Sequence, residues 1–488
     1  MPGTGLVRSH ADSHQTARRL LASKNPTENN KIAPRATAEA LGPLPTSAIN
    51  RGTFIDLYAG CAGLSLGLMV AGWEGLFAVE KDPNAFQTLK HNLIDGTHGL
   101  KYNWPDWLPK QSFRIGAFIT KYHDQLLSLR GHVDLIVGGP PCQGFSMAGK
   151  RKKNDPRNAM FRHYVEVVGL VRPTLLLLEN VKGIDIEFDK KRKGPGGKRG
   201  PGRPAKTFST RIREALDKIG YRVFVGLVKA VDHGIPQTRP RYFVFAIAKT
   251  HLKNVDESLL SDQGNLNPLV LLPGIRDIFL LSKGLVPGKT VSVQDAISDL
   301  ETSDRELIEC EDSAGFKQIA YEKPLTQYQK LMHGSMNGKG PNSMRLAHHR
   351  QETESRFQLI LDTCRRGVTL SKADRKRLGM KKHATVALDA NKPSPTLTTL
   401  PDDLIHYSEP RILTVRENAR LQSFPDWFEF KGKYTTGGKQ RVRECPRYTQ
   451  VGNAVPPLLA ELIGLVLCVI REFVLSTISG PVQQQCVA

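Results

Sequence analysis

Four short apolar runs before residue 180 alternate with turns and helical patterns. They cover Phe54 to Tyr58, Gly75 to Val79, Val133 to Val137 and Thr174 to Leu178, and each has the length and composition of a buried strand. Helical patterns follow the first and third runs. Strands that alternate with helices predict an α/β fold, Rossmann-like, in which a mixed, mostly parallel sheet carries helices on its faces.

The second half of the chain is less regular. Two further strands are predicted over Tyr221 to Val231 and Tyr242 to Ile247. From Lys249 to Pro410 glycine, proline, asparagine and histidine interrupt the pattern and basic runs recur, which predicts a smaller second domain of irregular structure with a basic face. A helix is predicted from Thr414 to Gln422, because Thr414 suits an N-cap and Glu417 stands at the capping-box position.

The final predicted elements are a tight turn from Gln450 to Pro457 and an apolar helix after it. Pro457 suits the first turn of that helix. The charges of Glu461 and Arg471 interrupt the apolar run, which indicates a core helix and not a membrane span.

Composition adds a polyanionic partner to this picture. Lysine and arginine outnumber aspartate and glutamate by 69 to 47, a formal net charge of +22 over 488 residues. Such an excess favours nucleic acid. The seven cysteines form no Cys-x-x-Cys pair, so we expect neither a metal site nor a disulfide framework, and we expect a reducing compartment.

Glycines after the first strand form a pattern typical of a nucleotide site. Ala59-Gly60-Cys61-Ala62-Gly63 leads into a helix, where backbone groups can approach a ligand closely. Glu80 ends the second strand, in the position that suits a contact with ribose hydroxyls. A solvated strand-end charge is the alternative for Glu80. Together these residues predict an adenosine-containing ligand at the carboxyl ends of the strands.

A single cysteine follows the third strand on a stiff turn. Gly138 and Gly139 let the backbone turn sharply, and Pro140 and Pro141 stiffen the chain just before the thiol. A thiol held in this way, here Cys142, is a candidate nucleophile. The alternative is a buried structural cysteine.

Two other strand ends carry charged groups. Glu179 emerges from an apolar run, where a carboxylate is costly to ionise, so it suits a proton donor or else pairs with a nearby cation. Arg239 and Arg241 alternate at the last strand and so share a face. Two adjacent guanidiniums suit an anion or a base edge, and unpaired surface arginines are the alternative.

A basic insertion of lysine, arginine, glycine and proline runs from Lys190 to Lys206. Its part from Lys198 to Lys206, with Arg203, resembles an AT-hook, because an extended Gly-Arg-Pro can lie in a narrow minor groove. A flexible basic loop is the alternative.

Six blocks resemble, in the family's order, the motifs of the cytosine-5 DNA methyltransferases, which use S-adenosylmethionine. The blocks are Phe54–Gly63, Gly139–Gln143, Glu179–Val181, Gln237–Arg241, Arg416–Pro425 and Gly452–Pro456. They span nearly the whole chain after residue 53, and six blocks in order are a specific signal.

The resemblance implies a mechanism. A cytosine is flipped out of duplex DNA, Cys142 attacks its carbon 6, Glu179 holds the base near N3, and carbon 5 takes the methyl group. Arg239 and Arg241 bind the base or a nearby phosphate and help orient Cys142 and Glu179. The residues from Ser146 to Phe161 resemble the loop that closes over DNA.

The resemblance also implies two sets of contacts. The cofactor contacts are Phe54, Asp56, Ala59, Gly60, Gly63, Leu64, Glu80, Pro140, Asn453 and Val455. The DNA contacts are Gln143, Ser146, Arg151, Lys152, Gln237, Arg203, Thr396 and Leu397. One departure concerns the adenine, which an aspartate often faces in the family and for which this chain offers Ala117.

Composition, pattern and the resemblance together predict five parts of the chain. They are a disordered leader (1–50), a catalytic and cofactor-binding domain (51–250), a target-recognition domain (251–445), a return to the catalytic domain (446–476) and a tail (477–488). We expect a cytoplasmic, DNA-associated monomer, or a nuclear one in a eukaryote, with no membrane contact and with a cognate restriction endonuclease as a functional counterpart.

Two other functions stay open at this point. A tRNA cytosine-5 methyltransferase would share the catalytic blocks, although the recognition region here is long and the Cys-Phe-Thr block of that branch is absent from the sequence. An inactive DNA-binding regulator could use the same scaffold, although Cys142, Glu179 and Arg239 are all present.

Overall fold

A mixed six-stranded sheet forms the centre of the protein. In this computed structural model, the structure describes residues 52–96, 98–140, 158–181, 207–334, 336, 340–437, 440 and 443–478. The strands of the sheet are β1 (Thr53–Leu57), β2 (Glu74–Val79), β3 (Leu135–Gly138), β4 (Leu175–Val181), β5 (Tyr221–Lys229) and β6 (Pro240–Ala248). Their order is β2-β1-β3-β4-β6-β5. The pairs among β1 to β4 are parallel, and β6 runs antiparallel to both neighbours. The predicted α/β fold is confirmed.

Helices cover both faces of this sheet. The helices are α1 (Gly63–Val70), α2 (Pro83–Leu89), α3 (Ile115–Lys121), α4 (His123–Ser128), α5 (Asn158–Val171), α6 (Phe208–Lys218), α7 (Pro268–Ser282), α8 (Val293–Ile297), α9 (Gln327–His333), α10 (Gln351–Thr363), α11 (Lys372–Arg377), α12 (Val415–Leu421), α13 (Arg447–Asn453) and α14 (Pro457–Ile478). Successive β1 residues enter different cores, because side chains alternate along a strand. Phe54 packs with α1 and α14, and Ile55 packs with α3 and α5.

Two predicted helix starts are confirmed. Thr414 caps α12, and the Glu417 side chain accepts from the Thr414 backbone in return, so both halves of the capping box are present. Pro457 is the first residue of α14. None of the described helices is both long and apolar enough to cross a membrane.

Two predicted features were wrong. The residues from Gln450 to Asn453 are helical and not a turn, because α13 begins earlier, at Arg447. The stretch from Lys249 to Pro410 contains the 15-residue helix α7, which has Pro273 in its interior. Packing against α14 buries Leu271, Leu272 and Ile275 of α7 and so outweighs the local cost of the proline.

Small strand pairs complete the fold. They are β7 (Leu307–Glu309) with β8 (Lys317–Ile319), antiparallel, and β9 (Val386–Ala387) with β10 (Leu404–Ile405), parallel. A second, smaller apolar core joins α10, Leu370, Leu378 and one residue of each of these last two strands, Ala387 and Ile405. Their strand neighbours Val386 and Leu404 contribute instead to the core on the sheet, as do residues from 252–297 and 413–474. The predicted target-recognition domain from 251 to 445 therefore contributes residues to both cores.

Candidate active site

The end of β4 and the start of β6 meet at one edge of the sheet. Because these strands are antiparallel, the last residues of β4 lie beside the first residues of β6, with Val181 opposite Arg241. The Arg241 Nε lies 2.7 Å from Oε1 of Glu179, and both side chains are about nine-tenths buried. Burial lowers the pKa of Arg241, and the carboxylate of Glu179 offsets part of that shift. The structure thus brings together two of the predicted catalytic residues.

The end of β3 lies beside this pair. Asn180 donates from Nδ2 to the Pro140 carbonyl over 3.2 Å, and a Cβ placed on Gly139 would stand 3.4 Å from Oε2 of Glu179. Cys142 follows Pro140 by two residues and lies outside the described residues.

The guanidinium of Arg239 binds backbone carbonyl groups and does not face solvent. Its side chain is buried, and it donates from Nη1 to the carbonyls of Gly452, over 3.0 Å, and Leu397. Burial, with Arg241 beside it, lowers the pKa of Arg239. The two arginines lie close together, as predicted. The contacts of Arg239, however, make it a positioning residue for the segments around Leu397 and Gly452.

Gln237 occupies a buried junction with Gln422. Its Oε1 accepts from the Leu397 backbone over 2.9 Å, and its Nε2 donates to the Gln422 side chain. Gln422 in turn donates to the carbonyls of Val451 and Ala454, each over 2.9 Å. Gln237 is 0% exposed. Its expected DNA contact is therefore replaced by a role in joining β6 to the chain around Leu397 and to α13.

The other expected recognition residues differ in exposure. The Leu397 side chain is buried in the core on the sheet, so it offers no surface to DNA. Thr396 is half-buried, and Asn453, expected at the cofactor, is exposed. Gln143, Ser146, Arg151, Lys152 and Arg203 lie outside the described residues.

The turn after β1 is shaped for a ligand. Tyr58, Gly60 and Ala62 all have positive φ angles, of 65°, 58° and 75°. A Cβ on Gly60 would meet no atom within 4 Å, so the turn borders open space. A left-handed tyrosine costs about 1 to 3 kcal/mol and such strain clusters at functional sites. Ala59 is half-buried in this turn.

Glu80 closes the turn from the neighbouring strand. Its Oε2 accepts from the Gly60 backbone over 2.9 Å, and its Oε1 accepts from the Asp82 backbone over 2.8 Å. Each carboxylate oxygen keeps a second lone pair for a hydroxyl donor. Burial raises the pKa of Glu80. The turn and this acid fit an adenosine-containing cofactor.

Asp56 lies beneath the turn. It is 1% exposed, and one of its oxygens accepts from the Ser65 hydroxyl, which itself accepts from the Tyr102 hydroxyl over 2.6 Å. The other oxygen, Oδ1, has no hydrogen-bond partner among the described residues. Burial raises the pKa of Asp56 to about 7.

Three expected cofactor contacts are core residues. Phe54 is 0% exposed, three residues before the end of β1, with its ring centroid 5.8 Å from that of Tyr102. Leu64 and Val455 are also buried. A Cβ on Gly63 would stand 2.4 Å from the Val455 carbonyl. Gly63 is therefore required by the close approach of α1 and the chain before α14, and Phe54 contributes to the core and not to the cofactor surface.

The expected adenine neighbour is also displaced. Ala117 is exposed on α3. The chain instead approaches Glu80 at Phe113, whose N–H donates to the Glu80 carbonyl over 2.7 Å. Arg114, next in sequence and exposed, precedes α3 as its N-cap residue. The backbone beside Glu80 therefore comes from the chain just before α3, and not from Ala117.

Sequence reasoning missed two residues of the site. Tyr58 is the first residue after β1, and its hydroxyl donates to the Met160 carbonyl over 2.6 Å; no local pattern predicts its positive φ. Gln422 ends the predicted helix, and only the fold brings it to Gln237. Among the described residues, no cluster of His, Cys, Asp and Glu could hold a metal ion.

Comparison with known proteins agrees with this geometry. The model of the C-5 cytosine-specific DNA methylase family matches residues 52–467. The chain belongs to this family. It is 32% identical over 420 residues to the Type II methyltransferase M.DdeI of Desulfomicrobium norvegicum, covering 84% of this chain and 87% of that one. It is 29% identical to the Type II methyltransferase M.XorII of Xanthomonas oryzae pv. oryzae, covering 84% and 83%.

A solved structure supports the fold. The chain resembles a prophage-encoded protein of E. coli assigned as a DNA modification methyltransferase, with a TM-score of 0.54 and 24% identity, covering 85% of this chain and 98% of that one. The predictions of the family, of an enzyme that methylates carbon 5 of cytosine in DNA, and of S-adenosylmethionine as its cofactor are confirmed.

Proposed function

We propose that this methyltransferase modifies one cytosine within a specific duplex sequence through a covalent bond to Cys142. The observation that carries the proposal is the buried Glu179–Arg241 pair beside Pro140, two residues before the cysteine. The proposal adds a nucleophile, Cys142, to the acid and the cation at the edge of the sheet where Glu80 and the turn after β1 also lie.

Each residue has a definite task. The Cys142 thiolate adds to carbon 6 and breaks the 5,6 double bond, whose electron pair moves toward carbon 5. Glu179 holds N3 of the base and stabilises the enamine, and Arg241 fixes the carboxyl group. When bound, S-adenosylmethionine supplies the methyl group to carbon 5. Removal of the carbon 5 proton re-forms the double bond and expels the thiolate.

The names of the relatives favour a modification role. M.DdeI and M.XorII are Type II methyltransferases, so we propose a cognate restriction endonuclease with the same target as the functional counterpart. The enzyme then acts wherever the DNA of the cell is accessible, which in a bacterium is the cytoplasm.

Bisulfite sequencing of DNA from cells that express the protein tests the activity and finds the target together. We expect protected cytosines confined to one sequence context. Protection without any sequence context would contradict a specific target. Methyl transfer to tRNA but not to duplex DNA would favour the RNA-modifying alternative.

A trapping experiment tests the covalent step. A duplex with 5-fluorocytosine at the target carries no proton on carbon 5, so the adduct cannot resolve. We expect a protein–DNA band stable in denaturing gels for the wild type and none for Cys142→Ser. A stable band with the serine variant would overturn the role of Cys142.

A further inference from the structure

The Tyr58 side chain connects the turn after β1 to helix α5. Its backbone N–H donates to the Val79 carbonyl at the end of β2, over 2.8 Å. Its hydroxyl donates over 2.6 Å to the carbonyl of Met160, which lies in the first turn of α5. One residue therefore ties the turn to two other elements of the fold, and we call the bond between its hydroxyl and Met160 the tyrosine tether.

The backbone at Tyr58 is strained and needs support from its surroundings. Its φ angle is 65°, in the left-handed region that is unfavourable for a residue with a large side chain. Such strain persists only where the surrounding structure over-determines the conformation. The N–H of Ala59 also donates to the Val79 carbonyl, over 3.1 Å, and the N–H of Gly60 donates to Glu80 over 2.9 Å. These bonds fix the backbone of the turn, and the tyrosine tether fixes the side chain of its first residue.

Helix α5 provides a fixed anchor for the tyrosine tether. Tyr164 and Val168 of α5 are 0% exposed and belong to an apolar core on the sheet. The Tyr164 hydroxyl donates over 3.0 Å to the Ile136 carbonyl of β3. Because these contacts hold α5 on the sheet independently of Tyr58, the Met160 carbonyl is a fixed point. The tether therefore steadies the turn and not the helix.

The tyrosine tether ends close to the space that fits the cofactor. Gly60 lies two residues after Tyr58, and a Cβ placed on it would meet no atom within 4 Å. Burial raises the pKa of Tyr58 above its usual value of 10, so the hydroxyl stays protonated and can donate at neutral pH. A turn that moved would change the shape of this space, because Gly60 is part of both.

We propose that Tyr58 is a positioning residue for the methyl donor: its hydroxyl holds the turn after β1 in the conformation that binds S-adenosylmethionine. Without the tyrosine tether, a fraction of the molecules leaves this conformation, and the apparent affinity for the cofactor falls accordingly. In the complex the bound cofactor holds the turn, so the rate of methyl transfer at saturating cofactor is preserved. The proposal concerns the cofactor alone, and it depends neither on the covalent step nor on the target sequence.

The test removes one hydroxyl at a time. Tyr58→Phe deletes the tyrosine tether and keeps the ring. Tyr221→Phe is the matched control, because the Tyr221 hydroxyl donates over 2.7 Å to the Pro173 carbonyl. Tyr221 begins β5, which in the order of the sheet is the edge strand farthest from β1 and β2. Each variant thus loses one hydrogen bond from a tyrosine to a backbone carbonyl, and urea denaturation checks that each full-length protein still folds.

Calorimetric titration with S-adenosylmethionine should separate the two variants. For Tyr58→Phe we expect the dissociation constant to rise roughly threefold to tenfold, as the loss of one neutral hydrogen bond predicts. The control should stay within about twofold of the wild type. In assays of methyl transfer to duplex DNA, the KM for the cofactor should rise in parallel in Tyr58→Phe, whereas kcat should stay unchanged.

Hydrogen exchange measured by mass spectrometry follows the turn directly. Without cofactor, the amides of residues 58–60 should exchange faster in Tyr58→Phe than in the wild type, because the strained turn opens more often. The amides of residues 164–171 in α5 should keep their protection, since other contacts hold α5. Saturation with S-adenosylmethionine should remove the difference in the turn. The control should match the wild type in both segments.

Three results would overturn the proposal. An unchanged dissociation constant would show that the tyrosine tether does not influence the cofactor site, and an equal rise in the control would reveal a general effect of lost stability. A lower kcat with an unchanged KM would assign the tether to the chemical step. Failure of the proposed function looks different, because a missing adduct at Cys142 or an absent sequence context would leave the calorimetric comparison of the two variants as it is.

Discussion

Arg241 reaches back along the strand pair to Glu179, since its direct partner across the β4–β6 register is Val181, two residues further on. The diagonal contact is possible because the two strands are antiparallel and both side chains project from the same face. It ties the position of the acid to the start of β6.

This contact predicts the effect of a conservative change. Arg241→Lys keeps the charge but removes the Nε that lies beside Glu179, so the carboxyl group is less well fixed. We expect the rate of methyl transfer in a single turnover to fall by about tenfold or more, because misplacing an acid weakens general acid catalysis worth roughly 100- to 10,000-fold. The control is Arg222→Lys in β5, measured in the same way. Equal rates for both variants would show that Arg241 has no role in orienting Glu179.

The acid itself can be tested with an isosteric change. Glu179→Gln keeps the shape of the side chain and removes its capacity to share a proton with N3. The rate of methyl transfer should fall by about a hundredfold or more, while binding of S-adenosylmethionine stays near the wild-type value. A variant that lost cofactor binding in proportion to activity would place Glu179 in the cofactor site instead.

Glu80 should govern binding of the cofactor. Glu80→Gln loses a charged acceptor for ribose hydroxyls, and a hydrogen bond to a charged group contributes about 1.5 to 3 kcal/mol. We therefore expect the dissociation constant for S-adenosylmethionine to rise by roughly tenfold to a hundredfold. Glu74→Gln, at the other end of β2, is the matched control. Calorimetric titration that gives wild-type affinity for Glu80→Gln would remove Glu80 from the cofactor site.

The junction between the two glutamines should contribute to stability. Gln237→Leu leaves the buried Leu397 N–H and the Gln422 side chain without their present partners. The free energy of unfolding should decrease by about 2 to 5 kcal/mol, as measured by urea denaturation. Gln294→Leu replaces an exposed glutamine of α8 and should change it by less than about 0.5 kcal/mol. Similar values for both would show that the amide contacts carry no net stability.

Asp56 predicts a pH dependence of stability. Its pKa is raised from 3.8 to about 7 in the folded protein, so between these values the folded chain holds a proton that the unfolded chain has released. Wild-type stability should therefore decrease as the pH rises through this window, by at most about 4 kcal/mol. The side chain at position 56 in Asp56→Asn does not titrate. The free energy of unfolding of this variant should therefore increase relative to that of the wild type between pH 4 and pH 7. A constant difference would contradict the raised pKa.

Much of the site was predictable because its signals are local. The capping box of Thr414 and Glu417 lies within four residues, and the strand ends before Glu80 and Glu179 follow apolar runs. The sheet then brings these ends together by its own topology. A sequence that places charged residues directly after buried strands therefore predicts the position of a site well.

The errors came from residues whose role depends on distant partners. Phe54 is part of the cofactor motif in sequence, yet its place early in β1 puts it in the core. Gln237 is polar and next to a predicted arginine pair, but its partners Leu397 and Gln422 are 160 and 185 residues away. Helix α7 contains proline and glycine, which argue against a helix locally, and its contacts with α14 and β5 compensate for them.

The packing of α14 on α1 also has a consequence for how the enzyme is made. A Cβ on Gly67 would stand 2.3 Å from the Pro457 carbonyl, so the helix that begins at the cofactor turn finds its main partner some 390 residues later in the chain. At roughly 5 to 20 residues per second, the ribosome needs about 20 to 80 s to supply it. A nascent chain therefore exposes the apolar side of α1 during most of its synthesis. We therefore expect methyl transfer to begin only when translation is nearly finished.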